Sequence, residues 1–83
     1  MKVKVRYFAS IRESLGAAEA VELPEGSTVA VLRDTLIDRG GAHAAALSRG
    51  RAVRSALDQV LCEETAILAE GSELAFFPPV TGG

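Results

Sequence analysis

Phe76-Phe77-Pro78-Pro79-Val80-Thr81-Gly82-Gly83 ends the sequence. With the residues before it, this reads as an apolar strand, Glu73 to Phe77, running into two prolines and a short diglycine tail. Leu74 and Phe76 fall on one side of that strand, Ala75 and Phe77 on the other. Pro78 and Pro79 have a fixed φ and no N–H, so they cannot continue a central strand and favour a stiff, extended exit. Residues 80–83 then reach on the order of 13 Å. Glycine lacks a Cβ, so the end of such a tail fits a channel too narrow for other residues. The chemically special group is the carboxylate of Gly83, placed where another enzyme can activate it. The dipeptide alone is weak evidence, because Gly40-Gly41 is also a diglycine and reads as a helix stop. The signal is strand, Pro-Pro, spacer and Gly-Gly together.

Upstream, Met1, Val3, Val5 and Tyr7 alternate with Lys2, Lys4 and Arg6, the pattern of a half-buried strand with one wet face. Phe8 to Gly16 reads as a short turn or single helical turn. Val21 and Leu23 suggest a second strand, closing a hairpin over about residues 2–23. Pro24-Glu25-Gly26 is a turn, after which Ser27 or Thr28 offers an N-cap oxygen. Val29, Leu32, Leu36 and Ile37 form one helical stripe, with Arg33, Asp34 and Asp38 read as lying off it. Ala42 to Leu47 is alanine-rich and helical in pattern, though too short to stand alone. Arg54 to Leu57 and Val60 to Cys62 read as short strands around Asp58-Gln59. The expected fold is α+β: a mixed sheet of four to five strands on one main helix, with the first and last strands side by side at its centre, as in the β-grasp. One domain is expected over 1–83, with a flexible tail at 79–83.

Composition narrows the function classes. Eighty-three residues at net charge −2 lack the basic footprint of a nucleic-acid binder. Arg49, Arg51 and Arg54 read as a solvated cluster. No apolar run approaches a membrane span, and Lys2, Lys4 and Arg6 break up any signal-peptide pattern, so a cytoplasmic location is expected. The single cysteine, Cys62, excludes an internal disulfide and reads as a small strand hydrophobe. His43 has no second histidine with which to share a metal and reads as a surface or helix-capping residue, so no metal site is expected. Glu63-Glu64 reads as a solvated edge, and the glycines form no phosphate-binding pattern. A carrier or partner module fits these residues better than an enzyme acting alone.

Val5 to Glu13 (VRYFASIRE), Asp58-Gln59 and Glu70 to Gly83 (EGSELAFFPPVTGG) together resemble the small, sulfur-carrier subunits of molybdopterin synthase. The similarity of length and element order spans the whole chain, and the C-terminal motif is its specific part. The resemblance implies a sulfur carrier that binds no cofactor itself. An E1-like adenylyltransferase would use ATP and Mg²⁺ to activate Gly83, and a sulfur-delivery enzyme would convert it to a thiocarboxylate. The large synthase subunit, in a two-plus-two heterotetramer, would then receive the tail and pass sulfur to cyclic pyranopterin monophosphate. On this likeness Gly82 gives clearance, Pro78 and Pro79 aim the tail, and Phe8, Arg12, Leu61 and Phe77 face the partner. Asp58 stands where the family commonly has Asn, and residues 42–54 are unusually rich in Ala and Arg. Three alternatives share the fold. They are a carrier for thiamine thiazole synthesis, a ubiquitin-like modifier joined through Gly83, and an interaction domain with an inert tail.

Overall fold

A computed structural model describes residues 1–79. Along the chain run β1 (Lys2–Tyr7), α1 (Ala9–Leu15), β2 (Ala18–Glu22), α2 (Val29–Ile37), α3 (Gly41–Leu47), β3 (Arg54–Leu57), β4 (Val60–Cys62) and β5 (Glu73–Phe77). The strands form one sheet in the order β2-β1-β5-β3-β4. β1 pairs parallel with β5, with Val5 opposite Leu74 and Tyr7 opposite Phe76, while the other pairings are antiparallel. The first and last strands therefore do lie together at the centre, and the fold is the β-grasp. Among the described residues no helix is long and apolar enough to cross a membrane.

Alternation decides the layers. Val3, Val5 and Tyr7 of β1 and Leu74 and Phe76 of β5 turn inward, where Ile11 of α1, Val29, Leu32 and Leu36 of α2, and Leu47 of α3 meet them. Lys2, Lys4 and Arg6 lie exposed on the opposite face. Helices thus cover one face of the sheet and leave the other open, which suits a mostly antiparallel sheet with one wet side.

The first turn of α2 has its donors accounted for, as a helix entry packed against a loop requires. Val29 and Ala30 donate their backbone N–H groups to the carbonyls of Ala66 and Glu64 at 3.0 and 2.9 Å. Val31 donates to the Thr28 hydroxyl at 3.3 Å, so Thr28 is the N-cap. At the far end Gly40, at φ 72°, donates to Ile37. Gly41 then opens α3, so the diglycine separates two helices. α2 is the longest helix, as expected, and α3 forms over the alanine-rich segment, while the segment after Phe8 winds into a seven-residue helix, longer than a single turn.

Asp58 and Gln59 both have positive φ, 48° and 71°, the signature of a two-residue type I′ hairpin. Asp58 also fastens the hairpin to β5. Its N–H donates to Glu73 O at 2.8 Å, and its Oδ1 accepts from the Glu73 N–H at 3.0 Å.

Candidate functional site

The end of β5 is anchored on one side and free on the other. Phe76 is buried and stacks on Tyr7, with ring centroids 6.5 Å apart and planes inclined by 14°. Its carbonyl accepts the Phe8 N–H at 3.1 Å. Phe77, one residue on, belongs to the open face, and it and Pro78 and Pro79 are half-buried. The chain therefore leaves the sheet from a fixed point beside an uncovered apolar surface. Gly82 and Gly83, the residues expected to carry the chemistry, lie outside the described residues.

Register places the partner-facing candidates relative to one another. Across the open face, Arg6 lies opposite Ala75, Ala75 opposite Ala56, and Ala56 opposite Leu61. In the next row Phe77 lies opposite Arg54. Small alanines thus floor a shallow surface between Phe77 and Leu61, and Leu61 is 61% exposed. Phe8 is also exposed, and the Arg6 guanidinium sits 5.3 Å from the centre of its ring, within cation–π range. Arg6 in turn pairs with Glu73 at 3.2 Å. Ala9, at φ 52°, makes the sharp turn from β1 into α1 immediately after Phe8. Arg12 is exposed but belongs to α1, one turn after Phe8, and not to the sheet. The structure therefore brings Phe8, Leu61 and Phe77 onto sheet strands or their direct extension, and leaves Arg12 on a neighbouring element.

Two polar clusters correct the sequence reading. His43 is neither free on the surface nor a cap. It is half-buried with its ring edge-on to Tyr7 at 6.5 Å, and its Nε2 donates to Glu19 Oε2 at 2.8 Å. Tyr7 donates its hydroxyl to the same carboxylate oxygen at 2.7 Å, and Arg39 pairs with the other. Burial pushes the Glu19 carboxyl up, but the bonds from Tyr7, His43 and Arg39, with the charge of Arg39, outweigh it and hold it at about 2. Burial, and then Glu19 as acceptor and as charge, push the Tyr7 phenol upward. The second cluster centres on Arg33, which is buried, and whose partners include Glu64. Glu64 is half-buried and also binds Arg49, while Arg49 reaches Asp34 at 2.8 Å. Glu63 alone of that acidic pair is exposed. Cys62 is half-buried in β4, 3.8 Å from the Ser55 hydroxyl. No local pattern announces either cluster, because its members come from well-separated elements.

A pH dependence follows. A carboxyl at about 2 when folded and 4.5 otherwise contributes stability that is present above pH 4.5 and is lost as pH falls towards 2. Glu19→Gln should therefore melt below the parent chain at neutral pH, and the gap should close through that window. Thermal melts of both chains across it would show no convergence if Glu19 were an ordinary surface carboxylate.

The ThiS family matches residues 5–83. The Escherichia coli (strain K12) molybdopterin synthase sulfur carrier subunit is 37% identical, over 98% of this chain and 99% of its own length. Among solved structures, Haloferax volcanii SAMP1, a small archaeal modifier protein, superposes with a TM-score of 0.80 at 27% identity over all of both chains. A chain in the complex of subunits 1 and 2 of the molybdopterin-converting factor from Helicobacter pylori 26695 gives 0.71 at 25%, again over the whole of both chains. Fold and full-length sequence agree, and the chain belongs to the ThiS family of ubiquitin-like sulfur carriers.

Proposed function

We propose that the chain is the sulfur carrier subunit of a molybdopterin synthase, with the carboxyl of Gly83 as its working group. The observation that carries this reading is the end-to-end similarity to the E. coli carrier subunit, in a chain ending Phe-Phe-Pro-Pro-Val-Thr-Gly-Gly. A carboxylate is a poor acyl donor until one oxygen becomes part of a leaving group. An E1-like partner holding ATP and Mg²⁺ supplies this by forming the acyl-adenylate and releasing pyrophosphate. The terminal sulfur of a delivery enzyme's persulfide then attacks the acyl carbon and expels AMP, and a thiol reductant cleaves the S–S bond of the resulting acyl disulfide to release the thiocarboxylate. Held covalently on a tethered tail, the sulfur meets its acceptor at high effective concentration and never as free sulfide. The large synthase subunit is the acceptor's host, and cyclic pyranopterin monophosphate the acceptor. Pro78, Pro79 and Gly82 aim the tail and give it clearance.

The test is the intact mass of the chain after incubation with an E1-like enzyme, ATP and a sulfur donor. Sulfur for oxygen is nearly isobaric with gain of one oxygen, and Met1 or Cys62 can oxidise. The expected shift must therefore yield to thiol-specific alkylation mapped to the C-terminus. Adenylation without sulfur incorporation would instead favour the modifier reading, which the likeness to SAMP1 supports. Lysine-linked conjugates in extracts would then be the decisive finding.

In this reading the open face docks the large subunit, with Phe77 as its central anchor and Phe8 and Leu61 beside it, and Arg12 reaches the same partner from α1. Aromatic anchors of this kind carry about 2–4 kcal/mol each on truncation. Phe77→Ala should weaken binding by at least about 30-fold with little change in melting temperature. Calorimetric titration measures the affinity, and a change under threefold (about 0.6 kcal/mol) would remove Phe77 from the interface.

A further inference from the structure

A cavity of about 100 Å³ lies between α1 and α3, lined by Ser10, Ile11 and Ser14 from α1, Ala45 and Ala46 from α3, and Arg51 beyond it. We propose that this groove binds a small tetrahedral oxyanion, a phosphate group, with Arg51 and the two serines as its polar contacts. Ser10 and Ser14 are four residues apart in α1 and so share a helix face. Ala45 and Ala46 keep the α3 wall low, and Ile11, buried in the core, belongs to the same wall. The lining contains no carboxylate.

Arg6, Arg33, Arg39 and Arg49 are each matched to a carboxylate. Arg51, Arg12 and Arg54 make no ion pair among the described residues, and of the three only Arg51 lines the groove. The Arg51 backbone is fixed on both sides. The Arg51 N–H donates to Ser48 O at 2.9 Å, and its carbonyl accepts from the buried Arg33 at 3.1 Å. Arg51, on this pinned backbone, lines one groove with Ser10 and Ser14, a donor set that suits a phosphate, whose oxygens accept planar N–H forks and O–H donors together. The cavity volume corresponds to roughly three waters at about 30 Å³ each, room for one such group. Because the chain is net negative, a phosphate gains nothing from its overall charge and must find this local arrangement. The groove belongs to the helical layer, on the side of the sheet away from Phe77 and Leu61, so the proposal stands independently of the sulfur-carrier reading.

Heteronuclear NMR titration of the full chain with inorganic phosphate, at ionic strength held constant with chloride, tests it. Saturable shifts are expected at Ser10 to Ser14, Ala45, Ala46 and Arg51. Arg51→Ala should weaken the affinity at least about tenfold, as loss of a charge-assisted contact implies, and Ser10→Ala/Ser14→Ala should weaken it as well. Alanine favours the helix, so that double variant keeps α1 intact. Arg54→Ala, on the open face, should change the affinity less than about twofold. Glycerol phosphate distinguishes the sources. Saturation by both ligands identifies a site for a phosphoryl group on a larger molecule, and saturation by phosphate alone identifies a site for the free anion. Unsaturating shifts, shifts spread equally over Lys2, Lys4 and Arg54, or an Arg51→Ala chain that binds like the parent would overturn the proposal.

Discussion

Deletion of Gly83 is expected to abolish sulfur loading while leaving the melting temperature unchanged. The buried core runs from Val3 to Phe76, so no core side chain is lost with the last residue. The shortened chain still ends in a glycine carboxylate, now that of Gly82, so the reacting group is chemically preserved. What changes is reach. One residue of extended chain spans about 3.3–3.6 Å, and a misplacement of about 1 Å at a reacting centre can lower the rate by about a hundredfold. Removal of one residue should therefore put loading below detection in the mass assay. Loading of the Gly82 carboxylate at an unchanged rate would mean that the activating partner does not measure the tail, and the proposed role of Gly83 would fail. Thermal melts of the two chains, run alongside, separate a loss of chemistry from a loss of fold.

Arg33→Met is expected to remove about 3–5 kcal/mol of folding stability, the scale for breaking a buried charged network by taking out one partner. Arg33 donates to the carbonyls of Leu47 and Ser48, each at 2.8 Å, to that of Arg51 at 3.1 Å, and to Glu64 at 2.7 Å. It therefore ties the end of α3 and the loop beyond it to α2, and ties α2 to the segment after β4. Methionine fills a similar volume but leaves those carbonyls without their donor, that of Leu47 in a buried position. Glu64 loses one of its two cations. Burial pushes its carboxyl up, and the hydrogen bonds from Arg49 and Arg33 together hold it below the usual carboxylate range. A chain of this length has a total stability of roughly 4–12 kcal/mol, so the loss is a large share of it. The melting temperature should fall by more than about 12 °C. Arg33→Lys should recover only part of this, since one ammonium cannot span four acceptors on a planar fork. An unfolding free energy from denaturant titration for Arg33→Met within about 1 kcal/mol of the parent's would show that water replaces the guanidinium without loss.

Much of the architecture is legible in the residues themselves. Alternation over Met1 to Tyr7 and over Glu73 to Phe77 fixes two strands and the parity of their side chains. That parity is why Phe76 is in the core and Phe77 is on the open face. The short strands flanking Asp58-Gln59 follow from apolar runs around a turn, and Thr28 from its place before the helical stripe. The likeness of the C-terminal run to the sulfur carriers is legible at the same level, since it rests on residue types and spacing alone.

The polar interior is not legible in this way. Val29, Leu32, Arg33 and Leu36 are the residues α2 buries. They follow i, i+3, i+4 and i+7, so Arg33 occupies a place on the stripe itself. Its charge argues for solvent, and local pattern offers no reason to overrule that. The reason lies in acceptors 14 to 31 residues away. Glu19 and His43 are likewise joined across 24 residues. Hydrophobic periodicity is a local property, so the sequence by itself determined the strands, the helices and which faces are apolar. A polar side chain is buried only where distant chain supplies its hydrogen-bond partners. That supply exists only once the elements have packed, so the tertiary structure alone decided where Arg33, Glu19 and His43 lie.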